Sequence, residues 1–157
     1  MIVSDSTALI TLINIDEFEL LKFFTQQIII PVEVYDEVSI HKESREFLDR
    51  QVNTKFVAVM SYGDQSLFDE LHILLDPGES ASVVLASEMD LTLLIDEKKG
   101  RRVAHNMGIK IVGLIGIIRF LYQNEKITKK RTEGLLEKLD ASSFRVSKKL
   151  IDLVLAK

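Results

Sequence analysis

The feature that most constrains this chain is an alternation of short apolar runs with longer segments of helical periodicity. Almost no polar side chain interrupts the runs MIVS (1–4), QIIIP (27–31), LTLLI (91–95) and KIVG (110–113), and FVAVM (56–60) also reads as extended. Uniformly apolar runs of this length are typical of strands buried on both faces. The alternation therefore predicts an α/β fold of three layers, α/β/α, with a central, mostly parallel sheet.

Helix signals fill the segments between these runs. The clearest is Asp76-Pro77-Gly78-Glu79, which has an N-cap residue, a proline at the first helical position and a glutamate three residues after the cap. We expect this helix to run to about Glu88. Further helices are predicted over residues 7–15, 17–25, 32–38, 46–52, 64–75, 97–107, 113–124, 128–139 and 147–156.

Length and composition predict one domain over residues 1–157, located in the cytoplasm and without membrane association. The chain is long enough to bury its own core, and it contains no long linker, repeat or low-complexity segment. It has no cysteine, which excludes disulfides, thiolate metal sites and thiol catalysis. The most apolar stretch (109–122) is interrupted by Lys110 and Arg119 and is too short to cross a bilayer, and the N-terminus lacks the pattern of a secretory signal.

Charge is distributed unevenly along the chain. Residues 1–97 carry 19 acidic and 5 basic side chains, whereas residues 98–157 carry 5 acidic and 15 basic ones. Such asymmetry between halves indicates an anionic partner if the basic residues share one surface. It is equally consistent with helices that expose differently charged faces to solvent, because a division in sequence need not be a division in space.

Acidic residues follow two of the predicted strands at the edge where ligands bind in open parallel sheets. Asp5 comes after the first strand and Asp96 after LTLLI, and each begins a helix. Glu79 and Glu37 lie on helices from which they could turn toward the same crevice. Gathered alone, these carboxylates would repel one another. A hard divalent cation removes that repulsion, so the pattern favours a site for Mg²⁺ or Mn²⁺, which prefer oxygen ligands and assist phosphodiester hydrolysis.

Three of these acids also have an ordinary structural explanation. Asp5 and Asp96 stand where helices begin, and aspartate is among the best N-cap residues. Glu79 could bond back to the backbone of Asp76 in a capping box, a role that does not exclude metal binding. The residues alone therefore leave capping and metal binding open.

The chain resembles the PIN-domain nucleases. The similar segments run in the same order over nearly the whole length: IVSDST (2–7), IPVEVYDEV (30–38), DPGESASVVLA (76–86), LLIDEKKGRRVA (93–104) and VGLIGII (112–118). The resemblance implies a PIN-like fold and a nuclease activity, and the pattern looks closest to VapC-type toxins of toxin–antitoxin pairs. It thereby implies an RNA substrate, a small antitoxin partner and a homodimer.

Carried over residue by residue, the resemblance implies a catalytic metal site of four acids: Asp5, Glu37, Glu79 and Asp96. It is the resemblance that selects Glu37 over its neighbours Glu33 and Asp36, because helical periodicity does not decide among them. One residue departs from the pattern. Most of the family has aspartate as the third acid, whereas this chain has Glu79 in a PGE form that is similar to one branch only.

Other polar residues near the predicted crevice are accessory candidates. Ser6 could bond to the neighbouring aspartate or to a metal-bound water, although helix-start chemistry explains it equally well. Glu97 is a second carboxylate after the same strand, and its alternative is a favourable charge at a helix N-terminus. Arg101 and Arg102 are candidates for phosphate contacts in nucleic acid, but adjacent arginines on a helix are more often solvated or paired with acids.

Together these features predict a divalent-metal-dependent endoribonuclease, a hydrolase of RNA phosphodiesters that acts as the toxin of a toxin–antitoxin pair. The alternative is a catalytically inactive PIN-like module that binds nucleic acid or protein through its basic half. A haloacid-dehalogenase-type phosphatase ranks last, because Asp5-Ser6-Thr7 lacks the second acid of a D-x-D motif.

Overall fold

A computed structural model of the chain describes residues 1–142 and 144–156. In this part of the chain, five short strands form one parallel sheet: β1 (Ile2–Ser4), β2 (Ile28–Pro31), β3 (Val57–Met60), β4 (Thr92–Leu94) and β5 (Ile111–Val112). Their order across the sheet is β3-β2-β1-β4-β5, so the first strand of the chain lies at the centre. The five predicted strands are confirmed, and every strand pair is parallel.

Nine α-helices within the described residues surround the sheet: α1 (Ser6–Asn14), α2 (Val32–Val38), α3 (Lys42–Asn53), α4 (Gln65–His72), α5 (Pro77–Met89), α6 (Lys98–Asn106), α7 (Leu114–Gln123), α8 (Lys129–Ala141) and α9 (Lys148–Leu155). None of them is long and apolar enough to cross a membrane.

Three helical predictions differ clearly from the structure, and one of them is helix α4, which ends at His72, three residues before its predicted end. The α-helix predicted over residues 17–25 is a 3₁₀ helix, Phe18–Phe23. Its buried residues include Phe18 and Leu21, which are three positions apart, the repeat of a 3₁₀ helix. Helix α3 begins at Lys42, four residues before its predicted start. Its first turn is mostly exposed and has no apolar residue to mark it in the sequence.

Separate cores cover the two faces of the sheet, which gives the predicted three-layer α/β/α arrangement. Side chains alternate along each strand, so that Ile2 and Leu94 pack on one face and Val3 and Leu93 on the other. We call the first the α7 face, since its core includes residues of α1, α2, α3, α7, α8 and α9. We call the second the α5 face, since its core includes residues of α4, α5 and α6.

The direction of strand addition reverses between β1 and β4. From β1 the chain moves outward through β2 and β3 on one side, and β4 and β5 lie on the other side. In open α/β sheets, ligands bind at the carboxyl ends of the strands beside such a reversal. At this edge the backbone N–H of Asp5 donates to the carbonyl of Leu94 at 3.0 Å. The fold therefore places Asp5 next to the segment that follows β4.

Candidate functional site

Asp5 lies at the carboxyl end of β1 and is the N-cap residue of α1. Its side chain makes no capping hydrogen bond, although the residue is only 2% exposed. Oδ1 accepts no hydrogen bond from any described residue. The pKa of Asp5 is raised to about 7, mainly by burial and in addition by the charges of Asp76, Glu37 and Glu97, while the Ser6 N–H lowers it in part. Capping therefore does not account for this carboxylate.

Helix α2 carries three acids, and their surroundings differ. Glu33 accepts a hydrogen bond from the hydroxyl of Tyr62 at 2.7 Å. Asp36 is exposed to solvent, and Glu37 is half-buried. The negative charge of Glu37 is one of those that raise the pKa of Asp5. Of the three acids, Glu37 is thus the one that the structure brings toward Asp5.

Gly78, in the first turn of α5, marks the space that these side chains share. A Cβ atom added to Gly78 would lie 3.0 Å from Oε2 of Glu37 and 3.6 Å from Oδ1 of both Asp5 and Asp76. Three carboxylates from β1, α2 and the cap of α5 therefore border one small volume. A side chain at position 78 would occupy that volume. The absence of a side chain at Gly78 therefore keeps the space between the three carboxylates open.

Glu79 combines the predicted capping box with a second, unsatisfied oxygen. Asp76 Oδ1 accepts from the Glu79 N–H at 2.7 Å, and the Asp76 N–H donates to Glu79 Oε1 at 3.4 Å. Oε2 of Glu79 is buried and has no donor among the described residues. The pKa of Glu79 is raised to about 9, mainly by burial and in addition by the carboxyl groups of Asp76 and Glu97. The cap thus uses one oxygen and leaves the other available.

Glu97 is the N-cap residue of α6, and Glu79 lies beside it. Oε2 of Glu97 accepts from the Gly100 N–H at 2.7 Å. A Cβ atom on Gly100 would lie 2.9 Å from Oε2 of Glu79 and 3.6 Å from Oε2 of Glu97. Burial raises the pKa of Glu97, but the Gly100 N–H, the Glu79 carboxyl group and the charge of Lys99 lower it overall. The carboxyl groups of Glu79 and Glu97 therefore lie side by side.

Asp96 lies at the same edge of the sheet, but its carboxylate turns toward α7. Its two oxygens lie 3.3 and 3.2 Å from the backbone nitrogen of Leu114, which donates to them at the start of that helix. Burial raises the pKa of Asp96, while the Leu114 N–H and the positive charge of Arg101 lower it in part. Asp96 is thus engaged with α7 and Arg101.

The accessory candidates occupy three different settings. Ser6 is buried as the first residue of α1. Arg101 is half-buried, and its Nη1 donates to the carbonyl of Ile95 at 2.6 Å. Arg102 is exposed on α6. Only Arg102 of the two arginines is therefore fully available to a large substrate.

Five carboxylates line the carboxyl edge of the sheet on the α5 side, and we call them the acidic arc: Glu37, Asp5, Asp76, Glu79 and Glu97. Sequence reasoning assigned Asp76 only to capping. Asp76 lies three residues before Glu79, and in a capping box this spacing brings the two side chains together. That spacing could have identified Asp76 as a neighbour of the site. Within the described residues, no three Asp, Glu or His side chains are placed so that they could hold a metal ion as they stand. The donors are nevertheless all carboxylate oxygens, the type that hard cations prefer.

Comparison with known proteins agrees with this architecture. A family model described as a PIN domain matches residues 1–157. No curated protein is significantly similar to the chain in sequence. PIN domains are generally nucleases, which are hydrolases, and they usually use divalent metals. Since the matched region spans residues 1–157, the chain belongs to the PIN-domain family.

Proposed function

We propose that the chain is an endoribonuclease that depends on a divalent metal, Mg²⁺ or Mn²⁺, and hydrolyses RNA phosphodiesters. The observation that carries the proposal is the carboxylate of Asp5, which is buried with an oxygen that accepts no hydrogen bond from the described residues. A buried, unpaired carboxylate is costly, and it normally becomes neutral or acquires a positive partner. The neighbouring acids of the arc make a cation the partner that relieves the largest repulsion.

We propose Asp5, Glu37 and Glu79 as ligands of this cation. Each is held by a different element, since Asp5 follows β1, Glu37 lies on α2, and the capping box fixes one oxygen of Glu79. Oε2 of Glu79 accepts no hydrogen bond from the described residues, so its lone pairs can bind a cation. The fourth carboxylate comes from the segment after β4, where the sequence offers both Asp96 and Glu97.

The bound cation supplies charge neutralisation at the phosphate and lowers the pKa of water. The protein supplies the position of the carboxylates and the positive charge around them. Helix α6 carries exposed basic side chains, Arg102 among them, directly after the segment that holds Glu97. Basic side chains beside the acids would contact the phosphates of a nucleic acid and hold the strand across the arc.

The finer role that we propose is that of a VapC-like toxin, with a small antitoxin protein as partner and a homodimer as the assembly. Its support is the order of the similar segments, which run over nearly the whole chain. Induced expression should arrest bacterial growth if this role is correct, and the Asp5→Asn variant should not. Equal growth with both chains would contradict the toxin role without bearing on RNA hydrolysis.

The direct experiment is cleavage of RNA by the purified chain with Mg²⁺, with Mn²⁺ and with a chelator. We expect cleavage that requires the metal and that falls about a hundredfold or more in Asp5→Asn and Glu37→Gln, since even residues behind the ligands cost ten- to hundredfold. Asp36→Asn is the matched control, because Asp36 lies next to Glu37 on α2 and is exposed. Undiminished cleavage in both site variants would exclude this site.

The rival function is a binding module without catalysis. The observation that favours it is that no three metal-ligand side chains among the described residues are ready to hold an ion. Calorimetry with Mn²⁺ separates the two functions. Mn²⁺ binding that Asp5→Asn abolishes supports the nuclease, whereas RNA binding without any Mn²⁺ binding supports the module.

A further inference from the structure

We infer that Glu97, and not Asp96, supplies the fourth carboxylate of the cation site, and that Asp96 is a positioning residue which fastens the end of β4 to α7. This inference rests on the proposed function. It assigns metal binding to Glu97 and a positioning role to the adjacent Asp96. It reverses the assignment that the sequence motif alone implies, in which the acid directly after LTLLI is the ligand.

The directions of the two side chains follow from the alternation of residues along an extended strand. Leu94 packs in the core of the α7 face and Ile95 in the core of the α5 face. Asp96 continues the direction of Leu94 and bonds to Leu114, which belongs to the core of the α7 face. Glu97 continues the direction of Ile95 and lies beside Glu79, on α5.

Asp5 has the same direction as Glu97. Val3 packs in the core of the α5 face, and Asp5, two residues later, continues that direction in an extended conformation. The charge of Glu97 is among those that raise the pKa of Asp5. Oε2 of Glu79, which accepts no hydrogen bond from the described residues, therefore has Glu97 as its neighbour from the segment after β4.

The surroundings of Asp96 are those of a structural anchor. Its carboxylate accepts from the Leu114 N–H, and a Cβ atom on Gly113 would lie only 2.5 Å from its Oδ1. The same added atom would lie 3.1 Å from Nη1 of Arg101. Gly113 thus provides the space into which Asp96 and Arg101 reach, and Arg101 partly compensates the charge of Asp96.

Ile95 shows what the anchor holds in place. Its N–H donates to the carbonyl of Val112 at 2.9 Å, and its carbonyl accepts from Arg101 at 2.6 Å. Both backbone groups of the residue before Asp96 are therefore satisfied by neighbouring elements. With Asp96 bonded to α7, the chain from Ile95 to Glu97 is held on both sides, which sets the direction of Glu97.

Glu97 is itself bonded to a helix start, since Oε2 accepts from the Gly100 N–H. That bond resembles the one made by Asp96, and the difference between the two acids lies in the remaining neighbours. Asp96 has the half-buried Arg101 as its charged neighbour, whereas Glu97 has both the carboxyl group of Glu79 and the positive charge of Lys99, which is exposed to solvent. A cation beside Glu97 therefore gains a second carboxylate from Glu79, while a cation beside Asp96 meets the fixed positive charge of Arg101.

The test is titration of the full-length chain with Mn²⁺ by calorimetry, together with thermal unfolding of each variant in a chelator. We expect Glu97→Gln to weaken Mn²⁺ binding about tenfold or more. Asp96→Asn should bind Mn²⁺ within about twofold of the parent chain, because its amide oxygen still accepts from Leu114. Asp96→Ala should lower the unfolding temperature, since it leaves the Leu114 N–H without this partner.

Glu43→Gln is the matched control for Glu97→Gln, because Glu43 is an exposed acid in the first turn of α3. A loss of Mn²⁺ binding in Asp96→Asn as large as in Asp5→Asn would overturn the inference, and so would unchanged binding in Glu97→Gln. Either result leaves the proposed function intact. Absence of Mn²⁺ binding by the parent chain would instead remove the proposed function itself.

Discussion

Two carboxylates in this protein are buried to nearly the same extent, Asp5 at 2% and Glu17 at 5% exposure, yet their surroundings are opposite. Glu17 bonds to Arg131 at 2.6 and 2.5 Å and to Lys138 at 2.9 Å. These hydrogen bonds, with Arg131 first, lower the pKa of Glu17 although burial raises it. At Asp5 the pKa is raised, first by burial and then by carboxylates, which are its charged neighbours.

The difference shows how a structural acid and a candidate ligand can be separated without reference to relatives. At Glu17 the chain supplies its own counter-charge, from a helix more than a hundred residues away in sequence. At Asp5 the chain concentrates further negative charge and supplies no cation of its own among the residues whose charges shift its pKa. The first site is complete within the protein, whereas the second is stable only when it is protonated or occupied by a cation from outside.

The largest change in stability is expected from removing the negative charge of Glu17. Glu17→Gln should destabilise the fold by about 3 kcal/mol, the low end for a broken buried ion pair, because Arg131 and Lys138 are half-exposed and can be partly solvated. Urea unfolding measures this change. Glu19→Gln is the control, since Glu19 is an exposed partner of Lys22 and should cost less than about 0.5 kcal/mol. Equal losses in the two variants would contradict the comparison.

The second largest effect is the stabilisation of the folded chain by a cation bound at the acidic arc. Mn²⁺ at about a hundred times its dissociation constant should stabilise the parent chain by about 2.7 kcal/mol, because it binds only the folded state. Asp5→Asn should lose most of this stabilisation, and Glu17→Gln should keep it, since Glu17 lies outside the acidic arc. Thermal unfolding with and without Mn²⁺ is the measurement. Equal stabilisation of Asp5→Asn and the parent would show that the cation binds elsewhere.

The smallest expected effect is on the pH dependence of stability. The pKa of Asp5 is raised and that of Glu17 is lowered, so the two residues change this dependence in opposite directions. The folded pKa of Asp5 is about 7 against an ordinary value of 3.8, so its stabilising contribution is present at low pH and is lost as pH rises through 7. Without metal, Asp5→Asn should therefore be more stable than the parent at about pH 8. We expect a gain of only about 1–2 kcal/mol, because the buried amide has unmet hydrogen bonds that offset part of it.

At about pH 4 this advantage should disappear, because Asp5 is then protonated in the folded chain. Urea unfolding of both chains in a chelator at the two pH values gives the result. A lower stability of Asp5→Asn at the higher pH would mean that the aspartate is already neutralised by a partner within the protein.

Most of the fold could be predicted from the sequence because its strands are apolar on both faces and its helices begin with strong signals. The DPGE motif predicted α5 to within about a residue at each end. The predictions were less accurate where packing outweighs periodicity. The first turn of α3 has no apolar residue, and the segment Phe18–Phe23 winds more tightly so that Phe18 and Leu21 point into the core together.

Strand ends alone predicted the sheet edge at which Asp5 and Asp96 lie, but they could not rank the acids near that edge as candidate ligands. Asp96 and Glu97 are adjacent acids after one strand, and they point to opposite faces only if the extended conformation continues past Leu94. The sequence does not show where that conformation ends. The selection of Glu37 over Glu33 likewise depends on Tyr62, which bonds to Glu33 from a distant loop.

The central position of β1 has a consequence for how this protein comes into being. Strand β1 acquires its neighbour β4 only after residue 92 has been made, and the acidic arc draws on residues from 5 to 97. Contacts between such distant segments form late and slowly during folding. No fragment that ends before α6 holds the whole arc, so the proposed hydrolytic activity can begin only after Glu97 has been synthesised.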